Sequence, residues 1–205
     1  MKELFTRYPV LKPIEHEIEK AYAILLETCK SGGKILVCGN GGSCSDSEHI
    51  VGELMKSFKK KRPVKNDFAE KLQKLFPEDA DSLCGKLEGA IPAISLPSQT
   101  AVLSAYANDK DPSLVYAQLV YGYGNPGDAL IGLTTSGNSK NVINAFKTAK
   151  ALGVKTIALT GSGGGLSNSV CDTVIHAPEI ETYKIQELHL PIYHYLCARL
   201  EDELF

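Results

Sequence analysis

The chain has 205 residues, 22% charged and 43% hydrophobic, with a formal net charge of −2. That length suits one domain with a substantial core, and the charge argues against a generally basic nucleic-acid binder. No window approaches the roughly 18 consecutive apolar residues of a membrane helix. The opening MKELFTRYPVLKP also lacks the apolar region and small-residue cleavage site of an export signal.

Taken in chain order, segment 13–31 places Ile14, Ile18, Ala21, Ile24 and Leu25 on one helical face, with Pro13 in the first turn and Gly32-Gly33 as the stop. KILVCG (34–39) reads as a buried strand, and after GNGGS a helix is expected over about 45–58. Residues 59–90 break the rhythm. They open with KKKR (59–62) and continue with mixed charges around Phe68, Leu72, Leu75 and Phe76, which reads as an exposed amphipathic helix in an insertion, with the basic run on a solvated surface. Strands then follow at 91–96, 128–134, 154–161 and 173–177, and helices at 98–109, 112–123, about 140–152 and about 181–203.

Apolar strands alternating with helices predict an α/β fold: a doubly wound, five-stranded parallel sheet of flavodoxin-like order, one domain over 1–205 with a helical insertion at about 59–90. Ligands in such sheets bind beyond the carboxyl ends of the strands. The six cysteines (29, 38, 44, 84, 171 and 197) form no CxxC pair and are expected as reduced thiols in a cytoplasmic protein.

Four groups of residues carry chemistry. Gly39-Asn40-Gly41-Gly42-Ser43 joins a strand to a helix, where bare backbone and free amides suit an anion; it is neither GxGxxG nor a Walker loop. Thr134-Thr135-Ser136-Gly137-Asn138-Ser139 also opens a helix. One hydroxyl there could be an ordinary cap, but four in six residues favour a phosphate cradle. His49 and Glu53 share a helix face at i, i+4. Gln186 and His194, separated by about 80° around an ideal helix, can face one cavity with Glu187 and His189 to either side.

The strings GNGGSCSDSEHIVGEL (39–54), AYAND (105–109), TTSGNSKNVINAFKTAKALGVKTIALTG (134–161) and IQELHLPIYH (185–194) resemble the sugar isomerase (SIS) domain of the phosphoheptose isomerases over nearly the whole chain outside the insertion. The serine loop is shared by most such domains, while the joint presence of His49, Glu53, Gln186 and His194 points to the isomerase branch. The resemblance implies an aldose–ketose isomerase converting sedoheptulose 7-phosphate to a manno-heptose 7-phosphate. Glu53 and His194 would be the acid/base pair. Asn40, Gly41, Gly42 and Ser43, with Glu53 and Gln186, would contact the sugar, and Asn108 and Asp109 would meet its hydroxyls. Thr134, Thr135, Ser136 and Ser139 would hold the phosphate. It also implies zinc on His49, Glu53, Gln186 and His194, and a homotetramer with active sites at subunit interfaces, without membrane or nucleic-acid partners. Where relatives carry a basic residue four positions after the glutamate, this chain has Ser57 beside Lys56, and Tyr183 replaces an acidic residue three positions before Gln186. Two other readings belong to the same fold: a non-catalytic protein that binds the replication initiator, and an isomerase of another sugar phosphate.

Overall fold

A computed structural model of the chain describes residues 2–205. Strands β1 (Ile35–Gly39), β2 (Ala93–Ser95), β3 (Ala129–Leu133), β4 (Lys155–Gly161) and β5 (Thr173–Ala177) pair in parallel in the order β2-β1-β3-β4-β5. The flavodoxin-like order expected from the alternation is therefore present. The helices are α1 (Lys2–Arg7), α2 (Glu15–Lys30), α3 (Gly42–Met55), α4 (Asn66–Leu75), α5 (Pro77–Lys86), α6 (Thr100–Asp109), α7 (Val115–Tyr123), α8 (Lys140–Ala151), α9 (Ser167–Val170) and α10 (Thr182–Leu204). None is long and apolar enough to cross a membrane.

The strands are apolar on both faces, so each face packs against helices. Ile35, Val37, Ile131, Leu133, Ile157 and Leu159 meet α2, α3 and α10 in one core. Leu36, Cys38, Leu130 and Ala158 meet α7 and α8 in the other. The order reverses between β1 and β3, whose ends are in register at Gly39 and Leu133. Both loops singled out in the sequence leave the sheet at this switch point.

Several expectations are corrected. Helix α3 begins at Gly42, three residues early, because Gly41 at φ +57 turns the chain straight from strand to helix. Pro13 lies in a 3-10 turn (Pro9–Ile14) ahead of α2. The insertion forms two helices, the second opened by Pro77. The short helices α1 and α9 were not expected, since six and four residues carry too little periodicity to read.

The largest correction concerns the basic run. Arg62, read as part of a solvated surface, is 1% exposed. Its Nε donates to Glu201 Oε1 at 2.7 Å, and both side chains are fully buried. Its terminal nitrogens donate to the carbonyls of Leu54 (2.7 Å) and Glu53 (3.0 Å), at the C-terminal end of α3. Glu201 also accepts the backbone amides of Phe58 at 2.8 Å and Lys59 at 2.7 Å. Burial alone would raise the Glu201 carboxyl, but these amides and the guanidinium outweigh it and hold it below the usual carboxylate range.

Two stability predictions follow from these contacts. Glu201→Gln leaves the Arg62 charge buried without its counterion and should cost about 3–5 kcal/mol in urea denaturation. An Arg62→Met/Glu201→Leu double variant should recover only part of that loss, because the Phe58 and Lys59 amides and the Leu54 and Glu53 carbonyls lose their partners. His189 is buried against β4, its Nε2 bonded to Thr160 O at 3.1 Å and its Nδ1 without a partner. Burial pulls its pKa down from 6.5 to about 4. Between those values the unfolded chain binds the extra proton, so stability should fall as pH drops from 6.5 through 4. His189→Gln should flatten that slope in pH-dependent melting.

Candidate active site

The glycine loop is tied to its surroundings from three sides. Asn40 exchanges two hydrogen bonds with Asn141 at the start of α8, each 2.9 Å. The Tyr116 hydroxyl donates to Gly39 O at 2.7 Å. A Cβ at Gly42 would lie 2.7 Å from Gln186 Nε2, so this bare position lets α10 lay Gln186 over the N-terminus of α3. Ser43 is buried beneath the loop, its amide donating to Asn40 O at 3.0 Å.

In the serine loop the hydroxyls of Thr134 and Ser139 bond each other at 2.9 Å, while Ser136 is exposed and Thr135 half-buried. Ser139 occupies the N-cap of α8 but makes no capping bond, so capping does not account for its hydroxyl. The dipole and first-turn amides of α8 thus face the loop with one side-chain cap, Asn141 Oδ1 on the Val142 amide at 3.0 Å. The Gly-rich turn after β4 braces this loop. Leu166 donates its amide to Asn138 Oδ1 at 2.9 Å, and Ser167 its amide to Gly137 O at 3.1 Å.

Glu53 and His194 come together through His49. His49 Nε2 stands 3.2 Å from Glu53 Oε1 and 3.3 Å from His194 Nε2. Glu53 Oε2 is buried without a hydrogen-bond partner, with the Lys56 ammonium 3.5 Å away. Lys56 thus supplies positive charge near the carboxylate. Phe58 covers His194 at a ring separation of 5.4 Å. Burial lowers the pKa of His194, as does the neighbouring His49, while Glu53 opposes the shift.

Other expected residues lie further out. His189 turns away to β4 instead of flanking the cavity, and Glu187 is exposed. Asn108 and Asp109 close α6 with their side chains bonded to each other at 2.9 Å; among the described residues no hydrogen bond joins them to the cluster. A cavity of about 470 Å³ between α1, the 58–59 turn and α10 reaches His194 but is lined by neither Glu53 nor the serine loop. Among the described residues, no three or more His, Cys, Asp or Glu side chains are disposed as a ready metal site. All six cysteines are free thiols.

A carboxylate and an imidazole therefore share one cluster where α3 and α10 cross, and the glycine and serine loops open α3 and α8 at the switch point. A SIS-domain family model matches residues 7–76 and 72–161, and the chain belongs to the SIS-domain family. The phosphoheptose isomerase of Akkermansia muciniphila is 35% identical over 198 residues, spanning 97% of this chain and 91% of that protein. That of Aliarcobacter butzleri is 38% identical over 195 residues, spanning 95% and 89%. The structure of the Neisseria gonorrhoeae phosphoheptose isomerase superimposes with a TM-score of 0.76 at 29% identity, covering 98% of this chain and 94% of that one. Within the SIS domains, the chain belongs to the phosphoheptose isomerase family and is a sugar-phosphate isomerase.

Gly42→Ala tests the loop geometry. The added methyl meets only the end of a flexible glutamine, so the melting temperature should barely change. Displacing Gln186 should raise KM for the sugar phosphate about three- to tenfold, the worth of one hydrogen bond.

Proposed function

We propose that the enzyme interconverts sedoheptulose 7-phosphate and D-glycero-D-manno-heptose 7-phosphate through an enediol. The observation that carries this reading is the placing of Glu53 and His194 against the same nitrogen of His49. The names of the relatives supply the heptose. The phosphate sits on the serine loop and the N-terminus of α8, held by Thr134, Thr135, Ser136 and Ser139. Asn40, Gly41, Gly42, Ser43 and Gln186 orient the sugar from the glycine loop, and Asn108 and Asp109 meet its hydroxyls.

Moving the carbonyl from C2 to C1 requires a proton to leave C1 and one to arrive at C2, while a hydroxyl proton passes from O1 to O2. Glu53, whose buried Oε2 accepts no hydrogen bond, takes and returns the carbon-bound proton. His194, which burial keeps neutral to lower pH, shuttles the hydroxyl proton.

Zinc belongs to the same proposal, held by His49, Glu53, Gln186 and His194. The nitrogen and oxygen donors suit it, and Glu53 Oε2 accepts no hydrogen bond. When bound, it would polarise the sugar's carbonyl oxygen as a Lewis acid. A cytoplasmic homotetramer is also proposed: the cavity at His194 lacks Glu53 and the serine loop, so a neighbouring subunit is what would close the site.

With sedoheptulose 7-phosphate as substrate, product analysis should show the aldose, and Glu53→Gln and His194→Ala should each lose about 10²–10⁴-fold in kcat. Full activity in both variants would refute the mechanism, and a preference for C6 sugars would refute the heptose assignment. The acidic limb of kcat/KM should lie below 6.5, since activity requires neutral His194 and is lost as pH falls through its lowered pKa. Protein purified without chelator or affinity tag should carry about one zinc per chain. Metal-free protein with full activity in chelator would exclude it.

A further inference from the structure

A hydrogen-bond chain with no part in the proposed proton transfers ends on His49. Tyr193, buried on α10, donates its hydroxyl proton to Asp46 Oδ1 at 3.1 Å, and its oxygen lies 3.0 Å from His49 Nδ1. The two rings meet edge to face, 5.5 Å apart. A phenol has one proton to give, and an ionised carboxylate can only accept. With the proton committed to Asp46, the phenol oxygen is an acceptor towards His49, and Nδ1 must carry the hydrogen.

We infer that Asp46 and Tyr193 are positioning residues that hold His49 with its proton on Nδ1 and present the Nε2 lone pair between Glu53 and His194. The inference rests on the reading of those two groups as the acid/base pair. It has a direct chemical consequence. In the opposite tautomer, an Nε2–H would donate to Glu53 Oε1 at 3.2 Å and weaken the carboxylate as a base. In the tautomer held here, Nε2 accepts from His194 Nε2–H at 3.3 Å and leaves Glu53 without a hydrogen bond from His49. The facing lone pairs of Nε2 and Glu53 Oε1 also favour a proton or a cation between them. Outer partners that set a histidine tautomer in this way recur behind imidazoles that work as ligands or proton carriers.

Nitrogen-15 NMR of histidine-labelled, chelator-treated protein reads the tautomer directly. At about pH 8, above the ordinary histidine range, wild-type His49 should show a protonated Nδ1 and a bare Nε2. Tyr193→Phe should shift the population towards Nε2–H and lower kcat about 10- to 100-fold with little change in KM. Asp46→Ala, which releases the phenol proton towards His49, should do the same. Nε2–H in the wild type, or an unchanged tautomer and kcat in both variants, would overturn the inference. Should the tautomer move as stated while wild-type protein fails to turn over sedoheptulose 7-phosphate, the positioning role stands and the proposed substrate falls.

Discussion

The buried Arg62–Glu201 pair is the constraint on which the site depends. A guanidinium is costly to bury, and this one is compensated by a carboxylate and by the last carbonyls of α3, where the helix dipole favours positive charge. Glu201 is in turn satisfied by consecutive backbone amides after α3. One ion pair thus joins the end of the helix that carries Glu53 to the helix that carries His194. The carboxylate and the imidazole come from stretches of chain about 140 residues apart, and this pair with the apolar packing of α3 on α10 keeps them in one register.

From that anchor the rest of the site follows the logic of a doubly wound sheet. Strand order reverses between β1 and β3, which opens a crevice above two strand ends in register. Each strand turns into a helix whose first amides point to the crevice. The Asn40–Asn141 pair and the Tyr116 bond to Gly39 hold the two loops at fixed spacing, so a ligand anchored by its phosphate on one loop meets the other at a set distance. Catalysis of this kind relies on placement, since a carboxylate and an imidazole are ordinary groups until a substrate is held between them.

Much of this could be read in the residues. Continuous apolar runs marked all five strands within a residue or two, and loops rich in glycine and serine between strand and helix marked the switch point. His49 and Glu53 were visible as an i, i+4 pair because helical spacing is local. What escaped is what depends on distant contacts. Nothing in KKKR distinguishes Arg62 from the three lysines before it; only the distant Glu201, near the end of α10, completes the signal. Asp46 and Tyr193 carry no local signal, since their role exists only where α3 and α10 cross. His189 was misplaced because a helical wheel gives direction without saying which sheet face receives the side chain.

The pairing of Glu53 with His194 as proton carriers is tested most directly by running the isomerisation in heavy water and locating deuterium in the product. An enediol route through these groups predicts solvent deuterium at C2 of the aldose, with incorporation abolished together with turnover in Glu53→Gln. Deuterium still entering C2 at the wild-type rate in Glu53→Gln would contradict it.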